Sequence, residues 1–224
     1  MTRAEFTRLI DHTALKPETT KEDIRRVCEE ARTFGFGAVC LAPLWVPWAK
    51  ECLTGSPVRI AAVIGFPHGN TFPDVKAYEA KLAIEAGAQE LDMVIQIGLL
   101  RAGNQGGALD DIQSVVNMAR RTFTSKILVK VILETSLLTR EEQTVGCRLA
   151  EKAGADFVKT STGFAGSTVT IEDVALLRSA VGERLGVKAA GGIRDLVTAL
   201  TLINAGATRL GCSSSVAIMN MWPA

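Results

Sequence analysis

The stretch "KAGADFVKT" at residues 152–160 carries the pattern that decides the fold: a Gly-Ala pair follows a helical segment and precedes an apolar run. The pair recurs in "FGFGAVCLA", "EAGAQELDMV" and "NAGATRLGC". Glycine readily adopts the left-handed conformation that ends a helix, so we predict that each pair stops a helix and leads into a strand. The four predicted stops are Gly37, Gly87, Gly154 and Gly206.

Apolar runs mark the strands that these helices connect, and the intervals between the glycines leave room for two strand-helix units each. We predict strands at residues 9–11, 38–41, 59–64, 90–95, 126–133, 156–160, 186–189 and 208–211. Eight strands alternating with helices in 224 residues predict a parallel (β/α)8 TIM barrel, with an open doubly wound sheet as the alternative. No linker or shift of composition divides the chain, so we interpret residues 1–224 as one domain.

Three helix starts have the spacing of a capping box, in which a hydroxyl and a carboxylate three residues apart satisfy free amides at the helix N-terminus. The pairs are Thr20 with Asp23, Thr139 with Glu142, and Thr170 with Asp173. Each pair precedes a helical segment, which supports the alternation of strands and helices.

Composition excludes several classes of function. The chain has 25 basic and 24 acidic residues, a net charge of +1, so no global field attracts nucleic acid or an anionic membrane. Its five cysteines are widely spaced and contain no C-x-x-C, which argues against a zinc site and a disulfide framework. We find no signal-peptide pattern and no apolar run of about 18 residues, and we expect a cytoplasmic protein.

Four polar residues fall at or near predicted strand ends, where the chemistry of this barrel fold is placed. They are Asp11, Asp92, Lys159 and Lys188. Taken singly, each has a structural explanation, because a lysine at a strand end usually extends to solvent and an aspartate there often caps the next helix. Four such residues converging on one face of one barrel favour an active site.

The two lysines lie on neighbouring predicted strands, which suggests an activated amine. A free lysine is protonated at neutral pH and is a poor nucleophile. A second cation nearby and desolvation both disfavour the charged form, so one amine of the pair can become neutral and attack a carbonyl to form a Schiff base. Asp92 can then stabilise the remaining ammonium group and help to transfer protons.

The last two predicted strands are followed by glycines and small hydroxyls, in "AAGGIRD" at 189–195 and "LGCSSSVAI" at 210–218. Exposed backbone amides at such positions can bind an anion, and phosphate sites after strands 7 and 8 recur in barrels. The candidates are Gly191, Gly192, Gly211, Ser213 and Ser214. Ordinary tight turns are the alternative, but beside a lysine site these loops point to a phosphorylated carbonyl substrate.

Eight motifs, in order and along nearly the whole chain, resemble the deoxyribose-phosphate aldolase family. They are "LIDHTAL", "AVCLAP", "VIGFPHGN", "ELDMVIQIG", "KVILETSLLT", "GADFVKTSTGF", "VKAAGGIR" and "GCSSSVAIM". The resemblance implies a (β/α)8 barrel that reversibly cleaves 2-deoxy-D-ribose 5-phosphate to D-glyceraldehyde 3-phosphate and acetaldehyde. The resemblance also implies that the reaction needs neither a metal nor an organic cofactor.

The resemblance also assigns roles to residues. It implies that Lys159 forms the Schiff base, that Lys188 perturbs it and that Asp92 transfers protons. Asp11 and Thr13 of "DHT" would line the substrate hydroxyls, and Thr160 and Thr162 of "KTSTG" would also contact substrate. The glycines and serines of the last two loops would bind its phosphate.

This chain departs from the family pattern at a few positions. Phe164 follows "KTSTG" where some members carry a lysine near the phosphate, "QIGLLRAGN" replaces the commoner "NIGALKSGD", and no tyrosine ends the chain. We interpret Cys40 and Cys212 as small buried hydrophobic residues. His12 and His68 have no assignment, since they lack neighbouring metal-ligand spacing.

Alternatives remain open for the function and for the assembly. Another Schiff-base aldolase or transaldolase acting on a different phosphosugar would need the same lysine and phosphate loops, and a non-catalytic phosphosugar-binding protein is a different class. We expect a homo-oligomer, either a dimer or a tetramer. Trp45 and Trp48 fit a subunit contact and the core equally well.

Overall fold

The computed structural model describes residues 1–121 and 126–223, and within them eight parallel strands form a closed barrel. The strands pair in chain order, and the last pairs with the first, with Asp11 opposite Gly211. They are β1 Ile10–Ala14, β2 Ala38–Leu41, β3 Arg59–Ile64, β4 Glu90–Val94, β5 Leu128–Ile132, β6 Phe157–Lys159, β7 Gly186–Ala190 and β8 Arg209–Cys212. The predicted (β/α)8 barrel is confirmed, and the alternative prediction of an open doubly wound sheet is wrong.

Helices surround the barrel and connect consecutive strands. They are α1 Arg3–Thr7, α2 Lys21–Phe34, α3 Val46–Cys52, α4 Pro73–Ala86, α5 Ile97–Arg101, α6 Gln105–Arg121, α7 Arg140–Ala153, α8 Ile171–Val181, α9 Leu196–Asn204 and α10 Ser215–Asn220. All three predicted capping boxes are present, at the starts of α2, α7 and α8. No helix in the described part of the chain is long and apolar enough to cross a membrane.

The predicted helix stops are confirmed at three of the four glycines. Gly87 and Gly154 end α4 and α7, and Gly206 follows α9 with a φ of 113°. The predicted stop at Gly37 is wrong, because α2 ends two residues earlier at Gly35, whose φ is 72°. A Cβ at position 37 would lie 2.2 Å from the carbonyl oxygen of Arg8, so close backbone approach explains this glycine.

The main apolar core lies between the outer face of the barrel and the helices. Alternate strand residues point outward into it, among them Val39, Leu91, Val129 and Leu210. Trp45 and Trp48 are half-buried and pack against this core with an edge-to-face ring contact at 5.9 Å. Of the two positions expected for these tryptophans, a subunit contact or the core, the structure shows packing against the core.

The inside of the barrel is different in character. A small apolar group of Cys40, Ala61 and Val63 fills one part of it. Next to this group lie charged side chains from β1, β4, β5, β6, β7 and β8, described below. The barrel therefore encloses a charged centre within an apolar shell.

A buried ion pair fixes the end of β4, which carries part of this centre. Lys76 of α4 and Asp111 of α6 are both fully buried and lie 2.8 Å apart. Lys76 also donates to the carbonyl of Val94, and Asp111 accepts from the amide of Gln96. Two helices are thereby tied to the strand that positions Asp92.

Candidate active site

Asp92 is the centre of the charged cluster and contacts three lysines. Its Oδ1 accepts from Lys130 Nζ at 2.8 Å, and its Oδ2 accepts from Lys159 Nζ at 2.9 Å and from Lys188 Nζ at 2.7 Å. The barrel creates this convergence, because β4 to β7 are consecutive and Asp92 is opposite Lys130 while Lys159 is opposite Lys188. One carboxylate therefore holds ammonium groups from three neighbouring strands.

Further charges complete the cluster. Asp11 accepts from Lys188 through Oδ2 and from Arg209 through Oδ1, the second at 2.7 Å. Glu90 pairs with Lys130 at 2.5 Å and with Arg209 at 3.4 Å. Three buried carboxylates thus face four cations from inside the barrel, namely Lys130, Lys159, Lys188 and Arg209. The half-exposed Arg59 also pairs with Glu90 at 3.4 Å, so cations outnumber carboxylates if every group is ionised.

Burial and neighbouring charges shift the pKa values of these groups in opposite directions. Burial alone would raise the pKa of Asp92, but Lys130, Lys159 and Lys188 outweigh it and hold the pKa well below its ordinary value. Burial would lower the pKa of Lys188, yet Asp11 and Asp92 raise it. The pKa of Lys130 is raised in the same way, with Asp92 and Asp11 outweighing desolvation. Asp92 is accordingly a carboxylate, and these two lysines are ammonium ions.

Lys159 differs from its neighbours because it reaches a cavity. The cavity has a volume of about 1070 Å³ and opens at the C-terminal ends of the strands. Lys159 is 3% exposed there, whereas Asp92 and Lys188 are fully buried beneath it. Of the predicted substrate-binding residues, the cavity is lined by Thr13, Thr162, Gly191, Gly192, Gly211, Ser213 and Ser214. The lysine and both loops therefore face one space.

Two predicted substrate contacts are placed elsewhere. Asp11 is fully buried, is absent from the cavity wall and is bound to Lys188 and Arg209, so its role is within the charged cluster. Thr160 is also fully buried. Its hydroxyl donates to the carbonyl of Ala190 at 2.9 Å and accepts from the amide of Ala190 at 3.0 Å, which ties β6 to β7.

The loops after β7 and β8 offer hydrogen-bond donors to the cavity. Within residues 1–121 and 126–223, no acceptor pairs with the backbone amides of Gly192, Ser213 and Ser214. Gly192 has a φ of 72°, which an L side chain adopts only with strain. Gly211 instead lies in β8, where a Cβ would stand 3.1 Å from Lys188 Cε. This glycine leaves space for the buried lysine as well as lining the cavity.

Sequence reasoning missed several members of the site. Lys130 interrupts the apolar run "ILVKVIL". A lysine within an apolar strand is the same signal that identifies Lys159 as a candidate. Glu90 and Arg209 begin strands and had no distinguishing pattern. Glu134 is buried in a left-handed conformation with a φ of 58°, and its Oε2 accepts from the amide of Thr162 at 3.1 Å and from the Thr162 hydroxyl. It thereby fixes a residue of the cavity wall.

Phe164 separates the main cavity from a second one of about 440 Å³, whose wall includes His68 and Glu134. Its ring packs edge-to-face on Phe66 at 5.2 Å. Cys40 lies inside the barrel, with Sγ 3.9 Å from Asp92 Oδ2, and burial raises the pKa of its thiol. All five cysteines are free.

Comparison with known proteins gives a consistent result. The profile described as DeoC/LacD family aldolase matches residues 7–219. The chain is 54% identical over 215 residues to the deoxyribose-phosphate aldolase of Streptococcus gordonii, covering 96% of each chain. It is 54% identical over 213 residues to that of Halalkalibacterium halodurans, covering 95% of this chain and 93% of the other.

A solved structure agrees with these sequences. The deoxyribose phosphate aldolase of Aeropyrum pernix, described as having a unique tetrameric structure, superimposes with a TM-score of 0.91 at 33% identity. The match covers 98% of this chain and 91% of that one.

Removing Lys130 tests the stabilising role of the cluster. We expect Lys130→Met to lower the free energy of unfolding by about 3 kcal/mol, because it leaves Asp92 and Glu90 under-compensated in a buried site. Urea unfolding at neutral pH measures the change. The exposed Lys152→Met is the matched control and should change stability by less than about 0.5 kcal/mol.

The pH dependence of this deficit follows from the raised pKa of Lys130. A raised folded-state pKa gives stability that is complete below the ordinary lysine value of about 10.4 and is lost only as the pH rises past the folded value. The deficit should therefore be constant between about pH 6 and about pH 9. Equal stabilities of Lys130→Met and Lys152→Met would contradict a stabilising role.

Proposed function

The chain belongs to the DeoC/LacD family of aldolases, and we propose that its single (β/α)8 domain reversibly cleaves 2-deoxy-D-ribose 5-phosphate to D-glyceraldehyde 3-phosphate and acetaldehyde. The proposed intermediate is a Schiff base on Lys159, and the reaction uses no metal and no organic cofactor. The observation that carries the proposal is the position of Lys159, whose amine reaches a cavity that the free loop amides also line.

The charge of the cluster supports Lys159 as the nucleophile. The cations outnumber the carboxylates, which favours loss of a proton from one of the amines. Lys188 and Lys130 are held as ammonium ions by adjacent carboxylates, and Arg209 is a guanidinium with a raised pKa. Lys159 has a single carboxylate contact and also meets the cavity. Its neutral amine can attack a carbonyl carbon.

The chemistry in the cleavage direction begins with attack of the Lys159 amine on C1 of the open-chain aldehyde. Loss of water gives a protonated imine, which acts as an electron sink. A base removes the proton of the C3 hydroxyl, the C2–C3 bond breaks, and its electron pair forms an enamine. D-Glyceraldehyde 3-phosphate leaves, and protonation of C2 followed by hydrolysis releases acetaldehyde and restores the amine.

The buried position of Asp92 and Lys188 limits their part in these steps. Neither group lines the cavity, so we assign them to a relay that reaches substrate through the Lys159 nitrogen or through water. Asp92 accepts hydrogen bonds from both lysines at the same oxygen, which allows a proton to pass between them.

The phosphate is proposed to bind at the far side of the cavity. Backbone amides of Gly192, Ser213 and Ser214 and the hydroxyls of both serines offer donors, and Gly191 and Gly211 let the backbone approach closely. Helix α10 has only six residues and is not needed for the argument. Thr13 and Thr162 line the same cavity as Lys159 and are assigned to the substrate hydroxyls.

The competing proposals differ in substrate rather than in chemistry. A transaldolase or another aldolase of phosphosugars would use the same amine, and a substrate panel separates them. Membership of an aldolase family argues against the non-catalytic binding protein. The five free thiols fit a reducing compartment, so we propose a cytoplasmic location.

An apolar surface on α4 supports self-association. Phe72, Val75, Tyr78 and Leu82 are between 48% and 77% exposed and repeat every three or four residues. A surface stripe of this kind is unusual on a monomer. The tetrameric structure of the Aeropyrum pernix relative makes a second copy of this chain the favoured occupant. We propose a homo-oligomer, a dimer or a tetramer, with this α4 stripe in its interface.

The nucleophile is tested by trapping. Borohydride reduction in the presence of acetaldehyde should leave a stable ethyl adduct on Lys159, because the imine is reduced in place. Peptide mass spectrometry locates the adduct. An adduct found mainly on Lys188 would reverse the assigned roles, and no adduct on either lysine would exclude the Schiff-base mechanism.

The phosphate site is tested by a fixed negative charge. Ser214→Asp should raise KM for 2-deoxyribose 5-phosphate at least about tenfold by like-charge repulsion. The KM for unphosphorylated 2-deoxyribose should change little. Ser214→Asn, which has the same shape without the charge, is the control and should be near wild type. Equal loss with both substrates in Ser214→Asp would make the loop structural.

The assembly is tested by light scattering on wild type and two variants. Tyr78→Glu introduces a charge into the α4 stripe and should shift an oligomer toward monomer. Val197→Glu changes an equally exposed apolar residue on α9, which is 74% exposed, and should leave the assembly unchanged. A monomeric wild type, or equal dissociation of both variants, would contradict the proposed interface.

A further inference from the structure

His12 is a buried titratable residue that the proposed mechanism does not use. It follows Asp11 on β1 and, by the alternation of the strand, points outward, toward α2 and α10. Its side chain is 4% exposed and lies between Glu30 of α2 and Ser215, the first residue of α10. Nδ1 is 3.0 Å from Ser215 Oγ, and Nε2 is 2.7 Å from Glu30 Oε2.

The hydrogen bonds around His12 accommodate protons on both ring nitrogens. Ser215 Oγ is placed to donate its one proton to the carbonyl of Cys212 at 2.9 Å and to accept from Nδ1. A Glu30 carboxylate accepts from a proton on Nε2. Filled in this way, the two contacts correspond to the imidazolium form of His12.

The surrounding charges agree with this state. Glu30 supplies a negative charge in direct contact with His12, and Arg26 is 4.0 Å from the other oxygen of Glu30. Asp23 pairs with Arg26 at 2.7 Å and removes most of its effect. The Phe36 ring lies 5.3 Å from the imidazole, Cys212 is opposite His12 in the β1–β8 pairing, and His12 also lines the main cavity. Glu30 is thus the counter-ion in direct contact with the ring.

A serine, a histidine and a glutamate in contact resemble the arrangement of a hydrolase, but this serine is unsuited to attack. Ser215 is fully buried, and its proton is directed to Cys212 rather than to the histidine. No substrate can reach its oxygen in this position. The contacts instead serve to hold backbone.

The backbone that they hold is the proposed phosphate loop. Ser215 bonds to the carbonyl of Cys212, and the two residues between them are Ser213 and Ser214. Cys212 is also opposite His12 in the β1–β8 pairing. One imidazolium thus links α2 and β1 to both ends of the two-residue segment whose amides face the cavity.

We propose that His12, as an imidazolium bridging Glu30 and Ser215, is a positioning residue that holds the Ser213–Ser214 segment in its phosphate-binding geometry. This inference rests on the proposed function for its effect on substrate. The protonation state itself is independent of any activity and can be measured on the free protein.

The first test uses two variants that each keep one half of the bridge. His12→Asn retains a donor near the Nδ1 position and can still bond to Ser215, whereas His12→Gln retains only a donor near the Nε2 position, toward Glu30. We expect His12→Gln to raise KM for 2-deoxyribose 5-phosphate about tenfold, as for loss of one hydrogen bond, with kcat within about threefold. His12→Asn should stay within about threefold of wild-type KM.

The substrate without phosphate is the internal control. Neither variant should change KM for 2-deoxyribose by more than about twofold, because that substrate does not use the serine segment. Ser215→Ala, which leaves His12 in place, should reproduce the His12→Gln effect and provides a second variant if His12→Gln folds poorly. Equal losses with both substrates, or equal effects of His12→Asn and His12→Gln, would overturn the positioning role.

The second test reads the protons directly. The chain contains two histidines, so nitrogen-15 NMR of the imidazole rings gives two spin systems, and His68→Gln identifies which belongs to His12. We expect both nitrogens of His12 to be protonated at pH 7. An unprotonated nitrogen would overturn the imidazolium assignment.

The two tests separate failure of this inference from failure of the proposed function. If wild type cleaves neither sugar and acetaldehyde gives no borohydride adduct, the proposed function fails, while the NMR result still decides the state of His12. If wild type prefers the phosphorylated sugar and forms the adduct, but the variants behave alike, only the role of His12 fails.

Discussion

The three hydrogen-bonded ion pairs between Asp92 and its lysines are the constraint on which the rest of the site depends. A lone carboxylate or ammonium group inside a barrel would cost several kcal/mol of desolvation. Here each charge is compensated by at least one opposite charge within hydrogen-bond distance. The mutual compensation makes the members interdependent, because removal of one leaves its partners with fewer opposite charges in a buried site. This explains why polar residues occupy a space that most barrels fill with branched aliphatic side chains.

The lysines of the cluster lie at two depths. Lys188, in the middle of β7, is fully buried between Asp11 and Asp92. Lys159, at the last residue of β6, has the cavity on one side. It is also the lysine with the fewest carboxylate contacts, and for both reasons we propose it as the nucleophile. The depth along the strand thus separates a fully enclosed lysine from one that meets the cavity.

The sequence predicted the strands to within a few residues, because apolar runs and helix-ending glycines are local signals. It also predicted that two lysines and an aspartate converge, since parallel strands bring their C-terminal ends together. It could not show how deeply each side chain lies within the barrel. Asp11 was expected at the substrate but lies within the cluster, and Thr160 was expected there but bonds to Ala190. Lys130 had a visible signal that was not used, whereas Glu134 depends on a backbone conformation that composition does not reveal.

The proposed mechanism uses two kinds of order, one at each end of the substrate. At the aldehyde end, buried charges inside the barrel surround the amine that we propose as the nucleophile. At the proposed phosphate end, amides without an acceptor among the described residues offer donors, and Ser215 contacts the segment that carries two of them. These two ends share β1, where Asp11 points inward to Lys188 and His12 points outward to Ser215. The alternation of side chains along a single strand thus connects β1 to both parts of the proposed site.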